Sequence, residues 1–500
     1  MNPRRPLGQL ALHSLLGLEV PKPQHQSFES ARRRPRDLEG NVVREYFPAS
    51  AAPAGNEPLD HLRFALKREP LDLGVLAATF RRIEPSQLEQ WIEAEPTGEF
   101  SRRAFFLFEK LTGRELDIAK LQAGNYVDAL DARHQFVGPR LRSPRHRVDD
   151  NLLGLATFCM TVRRTEAIER RIAERWQERA EGLLHRVEPR MLARAIDYLY
   201  TKETRATFDI ERAKPSSNRA ERFVAALRSA TGRDITSETS LVELQTLIVE
   251  SRYAETSFRS FQNWIGDARL DSRKVYFIPP RPEQLGSLMQ DWAGFTHRML
   301  EGAVDPVVAS AVVAFSFVFL HPFGDGNGRL HRYLVHAVLA KLGFSPGEAI
   351  FPISAAILRD LPRYERVLES FSAPLMARTD WDLNDDHSSF SARGNEDFLY
   401  RYFDATTMVE FLYDKVAETV EKDLPDELRW LDIYDQAFRQ VQDIVDMPDR
   451  RISLFLKLCI DNQGKLSGRK RELFAELSDR EIAEMEAAIR EVLANRPPES

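Results

Sequence analysis

One short run of this chain, His321-Pro322-Phe323-Gly324-Asp325-Gly326-Asn327-Gly328-Arg329-Leu330-His331-Arg332, gathers a base, an acid, glycines and two guanidinium groups. Arg329 and Arg332 are three apart, so on a helix both reach neighbouring sites on one turn. Guanidinium forks match phosphate oxygens. Asp325 is a hard oxygen ligand of the kind Mg²⁺ accepts beside a nucleotide. His321 can act as a general base toward a hydroxyl.

Two helices must hold this run. Asp305 is a cap, Pro306 suits a first helical position, and 307–320 is almost wholly apolar, which predicts a buried helix. Pro322 pushes His321 out of helical geometry, so that helix ends near Leu320. After the run, Leu330, Tyr333, Leu334, Ala337, Val338 and Leu342 recur at helical spacing, and Gly343 is a stop. Gly326, Asn327 and Gly328 therefore sit at the N-terminus of the second helix, where unpaired N–H groups and the positive dipole end favour an anion.

Other readings of the run fare worse. It carries no Walker pattern. As an EF-hand starting at Asp325 it has Leu330 where glycine is needed and His336 where glutamate is needed. HExxH is missing, so His321, His331 and His336 do not read as a zinc site. His331 and His336 read as packing or surface residues.

The full run resembles the active-site loop of Fic-family AMP transferases, HPFx[D/E]GNGRxxR, at every defined position. The resemblance implies a mainly α fold, with a Fic-type helical core, a small β-hairpin flap and flanking N- and C-terminal helical domains. It implies transfer of AMP from ATP to a Ser, Thr or Tyr hydroxyl of a protein, with pyrophosphate leaving. By the same resemblance His321 is the base and Asp325 holds Mg²⁺. Gly326, Asn327 and Gly328 cradle the phosphates, with the Asn327 side chain helping, Arg329 and Arg332 neutralise the β- and γ-phosphates, and Phe323 packs inward.

Upstream, two β-prone stretches around a polar turn, within 262–280, read as a hairpin closed by Pro279-Pro280. Its placement is similar to the Fic flap, and a hairpin edge can accept a target strand. Further upstream, Thr207 and Glu211 are four apart and share a helix face. This resembles the inhibitory [S/T]xxxE motif of one Fic subclass, although Arg212 follows where the family has Gly or Asn. A carboxylate at Glu211 would pair in bidentate fashion with Arg332 and occupy the group meant for the γ-phosphate. Downstream, Tyr364 is the position expected nearest the nucleotide base, while Phe371-Ser372-Ala373 stand where relatives often carry Asn.

The composition is that of a globular protein: 500 residues, 43% hydrophobic and 29% charged, with a net charge of -6. That balance gives no global drive toward nucleic acid. Cys159 and Cys459, far apart, fit a reducing cytoplasm rather than a disulfide framework. The apolar run 307–320 is shorter than the roughly 20 residues of a membrane span.

The chain divides by pattern into a flexible lead-in (1–55), an N-terminal helical domain (56–159), a Fic module (160–379), a polar linker (380–395) and a C-terminal helical bundle (396–500) for docking or homo-oligomerisation. Leu71 to Ile92 reads as two helices broken at Glu84-Pro85-Ser86. The basic stretch 140–147 reads as a solvated loop in preference to a DNA-binding surface. Besides the autoinhibited transferase, a second class stays open: a regulatory DNA- or protein-binding protein using the loop as a nucleotide sensor. Within the enzyme class, another phosphate-containing donor or removal of AMP is compatible with the same loop.

Overall fold

The apolar segment ahead of the loop forms the helix Pro306–Leu320, and every side chain from Val307 to Leu320 is buried. A helix apolar on all faces must be wrapped by other elements. Here the wrapping helices are Pro282–Glu301, Asn327–Lys341 and Thr406–Glu418. Asp305 caps it, accepting from the Val307 and Val308 amides at 3.0 and 3.1 Å. The computed structural model describes residues 4–31, 34–267, 274–301, 304–345, 347–383, 390–394 and 397–494. The fold is mainly α, with a few short strands.

A second long helix, Pro189–Ile210, starts with Pro189 at its first position and Glu188 as its cap. It packs against the Ile353–Arg359 helix and against Asn327–Lys341. Buried Glu203 pins it there: Ser354 N donates to Glu203 at 2.7 Å, and His336 Nε2 lies 2.8 Å from the same carboxylate. The flap is an antiparallel hairpin, Ile265–Asp267 with Lys274–Phe277, as expected, and its turn at 268–273 lies outside the described residues.

The expected lead-in is instead folded. Pro6–Leu7, His25–Glu29, Val42–Phe47 and Arg34–Glu39 form a four-stranded sheet in that order, with the helix Gly8–Leu15 inserted after the first strand. Leu7, Leu12 and Val20 are buried, and Gln9 hydrogen-bonds Glu69 and Pro70, so this segment is fixed to the helices that follow. The break at Glu84-Pro85 is found, between Leu73–Arg82 and Pro85–Ala94. The basic stretch 140–147 lies around the strands Leu141–Ser143 and Val148–Asp150. Three of its arginines are met by acids: Arg140–Asp128 at 2.7 Å, Arg142–Asp149 at 3.2 Å, and Arg145–Glu109 at 2.8 Å.

The expected divisions do not separate cores. One apolar cluster runs from Leu12 to Leu424, and backbone bonds from Cys159 and Thr161 to Arg401 and Phe403, at 2.9 Å each, stitch the N-terminal part to the segment after 396. Within 380–395, Asp380–Leu383 pairs with Phe390–Arg393 as a second hairpin where a linker was expected. A separate cluster begins only at Ala437 and joins the helices Leu424–Ile444, Asp449–Ile460 and Asp479–Ala494. Cys159 and Cys459 are buried in these two cores. No described helix is long and apolar enough to cross a membrane.

Candidate active site

The loop begins where the buried helix ends. His321 leaves that helix in the left-handed region, φ 50°, a conformation rare outside glycine and its few tolerated substitutes. Its Nδ1 lies 3.1 Å from the Val318 carbonyl. A carbonyl only accepts, so Nδ1 carries the proton and the lone pair of the neutral ring resides on Nε2. Burial pushes the imidazole down to about 4; the Val318 carbonyl opposes that and the Arg259 charge adds to it. At neutral pH the ring is therefore an uncharged base.

The turn that follows is braced from inside. Phe323 is fully buried against Phe258. Asn327 Oδ1 accepts from Phe323 N at 3.1 Å, and its Nδ2 donates to Phe323 O at 2.7 Å. Both ends of the amide are thus committed to the loop backbone. Asn327 holds the turn closed through these two bonds, at the first position of the helix where an anion would sit. Gly326, at φ 93°, makes the bend that a side chain would strain. Beyond it the helix Asn327–Lys341 opens with Asn327 and Gly328, as the spacing predicts.

The two arginines face opposite carboxylates. Arg329 Nη2 donates to Asp325 Oδ1 at 2.6 Å and Nη1 donates to the Ile248 carbonyl at 3.2 Å. Arg332, 2% exposed, gives Nε to the Thr207 hydroxyl, and gives Nη2 to the Thr207 carbonyl at 2.9 Å and Glu211 Oε1 at 2.8 Å. Thr207 takes one edge of the guanidinium, so Glu211 makes a single-point contact in place of the bidentate pair expected. Nη1 of Arg332 makes no hydrogen bond among the described residues.

Glu211 stands at the C-terminal end of the long helix, where a negative charge opposes the helix dipole. Arg332 compensates for that placement. Burial raises the Glu211 carboxyl, but the charge and hydrogen bond of Arg332, then the charge of Arg329, outweigh it and leave the group below its ordinary value. A Cβ built on Gly328 would fall 2.2 Å from Glu211 Oε1. The carboxylate therefore lies directly over the first turn of the Asn327–Lys341 helix, on the ground an anion would take.

Asp325 is the candidate metal ligand. Its side chain is 47% exposed, and its Oδ1 also accepts from Gly326 N at 2.7 Å. No cluster of three ligating side chains occurs among the described residues. A lone exposed carboxylate still fits Mg²⁺, which binds through one or two carboxylates and completes its shell with water and substrate phosphates.

Tyr364, the residue expected near the base, is enclosed by packing. It is buried beside Arg332, packs on His331 and Phe411, and burial drives its hydroxyl up to about 12. The adjacent face of its helix, Leu361–Met376, carries Glu365, Leu368, Glu369 and Ser372 instead. These line a cleft of about 660 Å³ with Ile265 and Tyr276 of the flap, Val318 and Phe319 of the buried helix, and Arg212. One position along a helix turns a side chain by about 100°, which takes Glu365 away from the direction of Tyr364 and into the cleft. His331 donates Nδ1–H to the Ala314 carbonyl at 2.8 Å and is a packing residue, as read from sequence.

Three supporting residues carry no local motif. Gln245 donates to the Asp325 and Tyr253 carbonyls, Glu255 accepts from Gly324 N at 2.7 Å, and Arg259 donates to the His321 carbonyl at 2.9 Å. Asn263, at the foot of the flap, donates to the Phe323 carbonyl at 3.2 Å.

Residues 235–339 match the profile of the Fic/DOC family. This stretch is a Fic domain. It ends inside the helix that carries both arginines, and it includes the flap, the buried helix and the whole loop. The chain is 36% identical over 69 residues to a protein adenylyltransferase Fic of Culex quinquefasciatus, covering 14% of either chain. It is 31% identical over 88 residues to protein adenylyltransferase fic-1 of Caenorhabditis elegans, covering 17% of either chain. Among solved structures, a Fic family protein from Desulfovibrio desulfuricans G20 aligns with 56% of this chain and 80% of its own, at 19% identity and a TM-score of 0.39. The matches to the curated relatives thus span only a small part of their length.

Proposed function

We propose that this chain transfers AMP from ATP to a hydroxyl of a protein substrate, and that Glu211 restrains the reaction. The supporting observation is the arrangement around one loop: an imidazole with its lone pair on Nε2, a helix N-terminus, and two arginines whose partners are acidic side chains.

In the proposed reaction the triphosphate lies over Gly326 to Gly328, with Arg329 and Arg332 on its β- and γ-phosphates. Asp325 would hold Mg²⁺, which supplies charge neutralisation on the phosphate oxygens. The nucleoside lies toward the cleft under the flap, where the carboxylates of Glu365 and Glu369 can accept from an amino group on the base. A target strand pairs with the flap edge and presents its hydroxyl near His321. The hydroxyl oxygen attacks the α-phosphorus and loses its proton to Nε2. The bond from phosphorus to the bridging oxygen breaks, and pyrophosphate leaves. Glu211 opposes this by occupying Arg332 and the first helical turn, so that the γ-phosphate is misplaced.

The test is self-modification by ATP labelled on the α-phosphate, in the parent, Glu211→Gly and Glu211→Gly/His321→Ala chains. Labelling that rises in the first variant and vanishes in the second supports the reading. Equal labelling of parent and Glu211→Gly rejects the restraint, and labelling that survives His321→Ala rejects the base. Mass spectrometry of lysate proteins treated with Glu211→Gly reports the transferred group and the acceptor.

A further inference from the structure

Arg259 is buried, 4% exposed, yet among the described residues it forms no ion pair. Its donors all go to backbone carbonyls. Nε donates to His321 O at 2.9 Å, Nη1 to Phe261 O at 2.9 Å, and Nη2 to Pro280 O at 2.6 Å. Its own amide donates to Pro322 O at 2.8 Å. Burial pushes the guanidinium down to about 10, which leaves it charged at neutral pH.

These acceptors belong to three separate pieces of the site. Phe261 leads into the flap and Pro280 leads out of it. His321 and Pro322 form the peptide unit that carries the base, held in the left-handed region at φ 50°. Such a conformation persists only where its surroundings over-determine it. One planar fork therefore ties both feet of the flap to the backbone of the imidazole. Neighbouring contacts reinforce the far foot: Tyr400 donates to Ile278 O at 2.8 Å and Gln262 to Pro279 O at 3.1 Å.

We infer that Arg259 is a positioning residue, which fixes the flap relative to His321 and so aligns an acceptor hydroxyl with Nε2. The inference rests on the transfer reading above. A lysine cannot replace it, because an ammonium group is a compact point charge without the planar five-donor fork. The phosphate side of the loop is untouched by Arg259, so the role separates transfer from nucleotide binding.

The experiment compares Arg259→Lys and Arg259→Gln in the Glu211→Gly background. Expected for Arg259→Lys are a fall in kcat of about tenfold or more, as small misplacements of reacting groups produce, and an ATP Kd within about twofold of the background. Arg259→Gln loses the charge as well. The charged groups facing His321 are Arg259, Glu211 and Asp325, and Arg259 acts to lower the imidazole's proton affinity. Removing it moves the acid limb of the pH–rate profile upward, whereas Arg259→Lys leaves the limb in place. Transfer by Arg259→Lys equal to the background, or ATP affinity falling in step with transfer, overturns the inference. If Glu211→Gly itself transfers nothing, the transfer reading fails. The positioning role is then decided by hydrogen exchange: faster exchange confined to the flap strands and the loop after His321 upholds it, and unchanged exchange there rejects it.

Discussion

The loop has two faces, and they are held by different chemistry. On the phosphate face, Arg329 and Arg332 are paired with carboxylates that keep 47% and 35% of their side-chain surface exposed. On the base face, His321, Asn327 and Arg259 bond to backbone groups. A carboxylate on a guanidinium can be exchanged for a phosphate oxygen of similar geometry. A backbone carbonyl inside a packed loop has no such substitute. The same short segment is thus rigid where a proton must be taken and exchangeable where a ligand must enter.

Breaking the base face should have the largest effect. In the Glu211→Gly background, His321→Ala should lower transfer by roughly 10² to 10⁴, read as incorporation of label, with ATP affinity little changed. Breaking the phosphate face should act in the opposite direction. Glu211→Gly alone should raise transfer about tenfold, because the pair is charged but its carboxylate is partly exposed and solvent moderates its strength. If both substitutions lower activity, the two faces are not functionally distinct.

The sequence made this loop legible because its chemistry is contiguous: helix cap, base, turn and fork all lie within a few residues of one another. Glu211 was also legible, at a distance, because Thr207 marks the same helix face. Gln245, Glu255 and Arg259 were not. Each is a single polar residue in ordinary polar text, and each reaches the loop through a contact 62 to 80 residues away. The burial of Tyr364 is not legible either, because its enclosure comes from packing on Phe411 and His331, contributed by other helices. The strands within 4–47 escaped for a different reason. His25–Glu29 pairs in parallel with Val42–Phe47, and the strands carry many charged or polar residues, so neither alternation nor a hairpin signal marks them. The segment 380–395 is rich in Asp and Ser and reads as linker, whereas the strands Asp380–Leu383 and Phe390–Arg393 pair and Phe390 stacks between Trp264 and Trp381.

Asn327 sharpens the division between the faces with a smaller effect. Its amide closes the turn through two hydrogen bonds to Phe323. Asn327→Ala leaves a buried N–H and C=O without partners, at a cost of about 1–3 kcal/mol for an unsatisfied group. The expected result is a lower thermal midpoint and a weaker transfer rate, with both recovering partly on addition of saturating nucleotide. An unchanged midpoint together with a large loss of ATP affinity would show instead that the side chain meets phosphate directly.

The smallest expected effect is that of acid on the restraint, and it follows from both faces taking up protons only in acid. The paired Glu211 lies below its ordinary value of 4.5. A carboxyl lowered in this way contributes its pairing fully above the unpaired value and loses it as pH falls through the lowered one. The Glu211–Arg332 contact therefore persists throughout the range from pH 8 to 5. Releasing it takes pH below 4.5, and there the imidazole of His321, pushed down to about 4, also gains a proton and ceases to be a base. Acid frees the phosphate face only where it disables the base face. Transfer by the parent chain should accordingly show no rise between pH 8 and 5. A rise in that interval that is absent from Glu211→Gly would mean that Glu211 holds its proton far more tightly than its pairing with Arg332 allows.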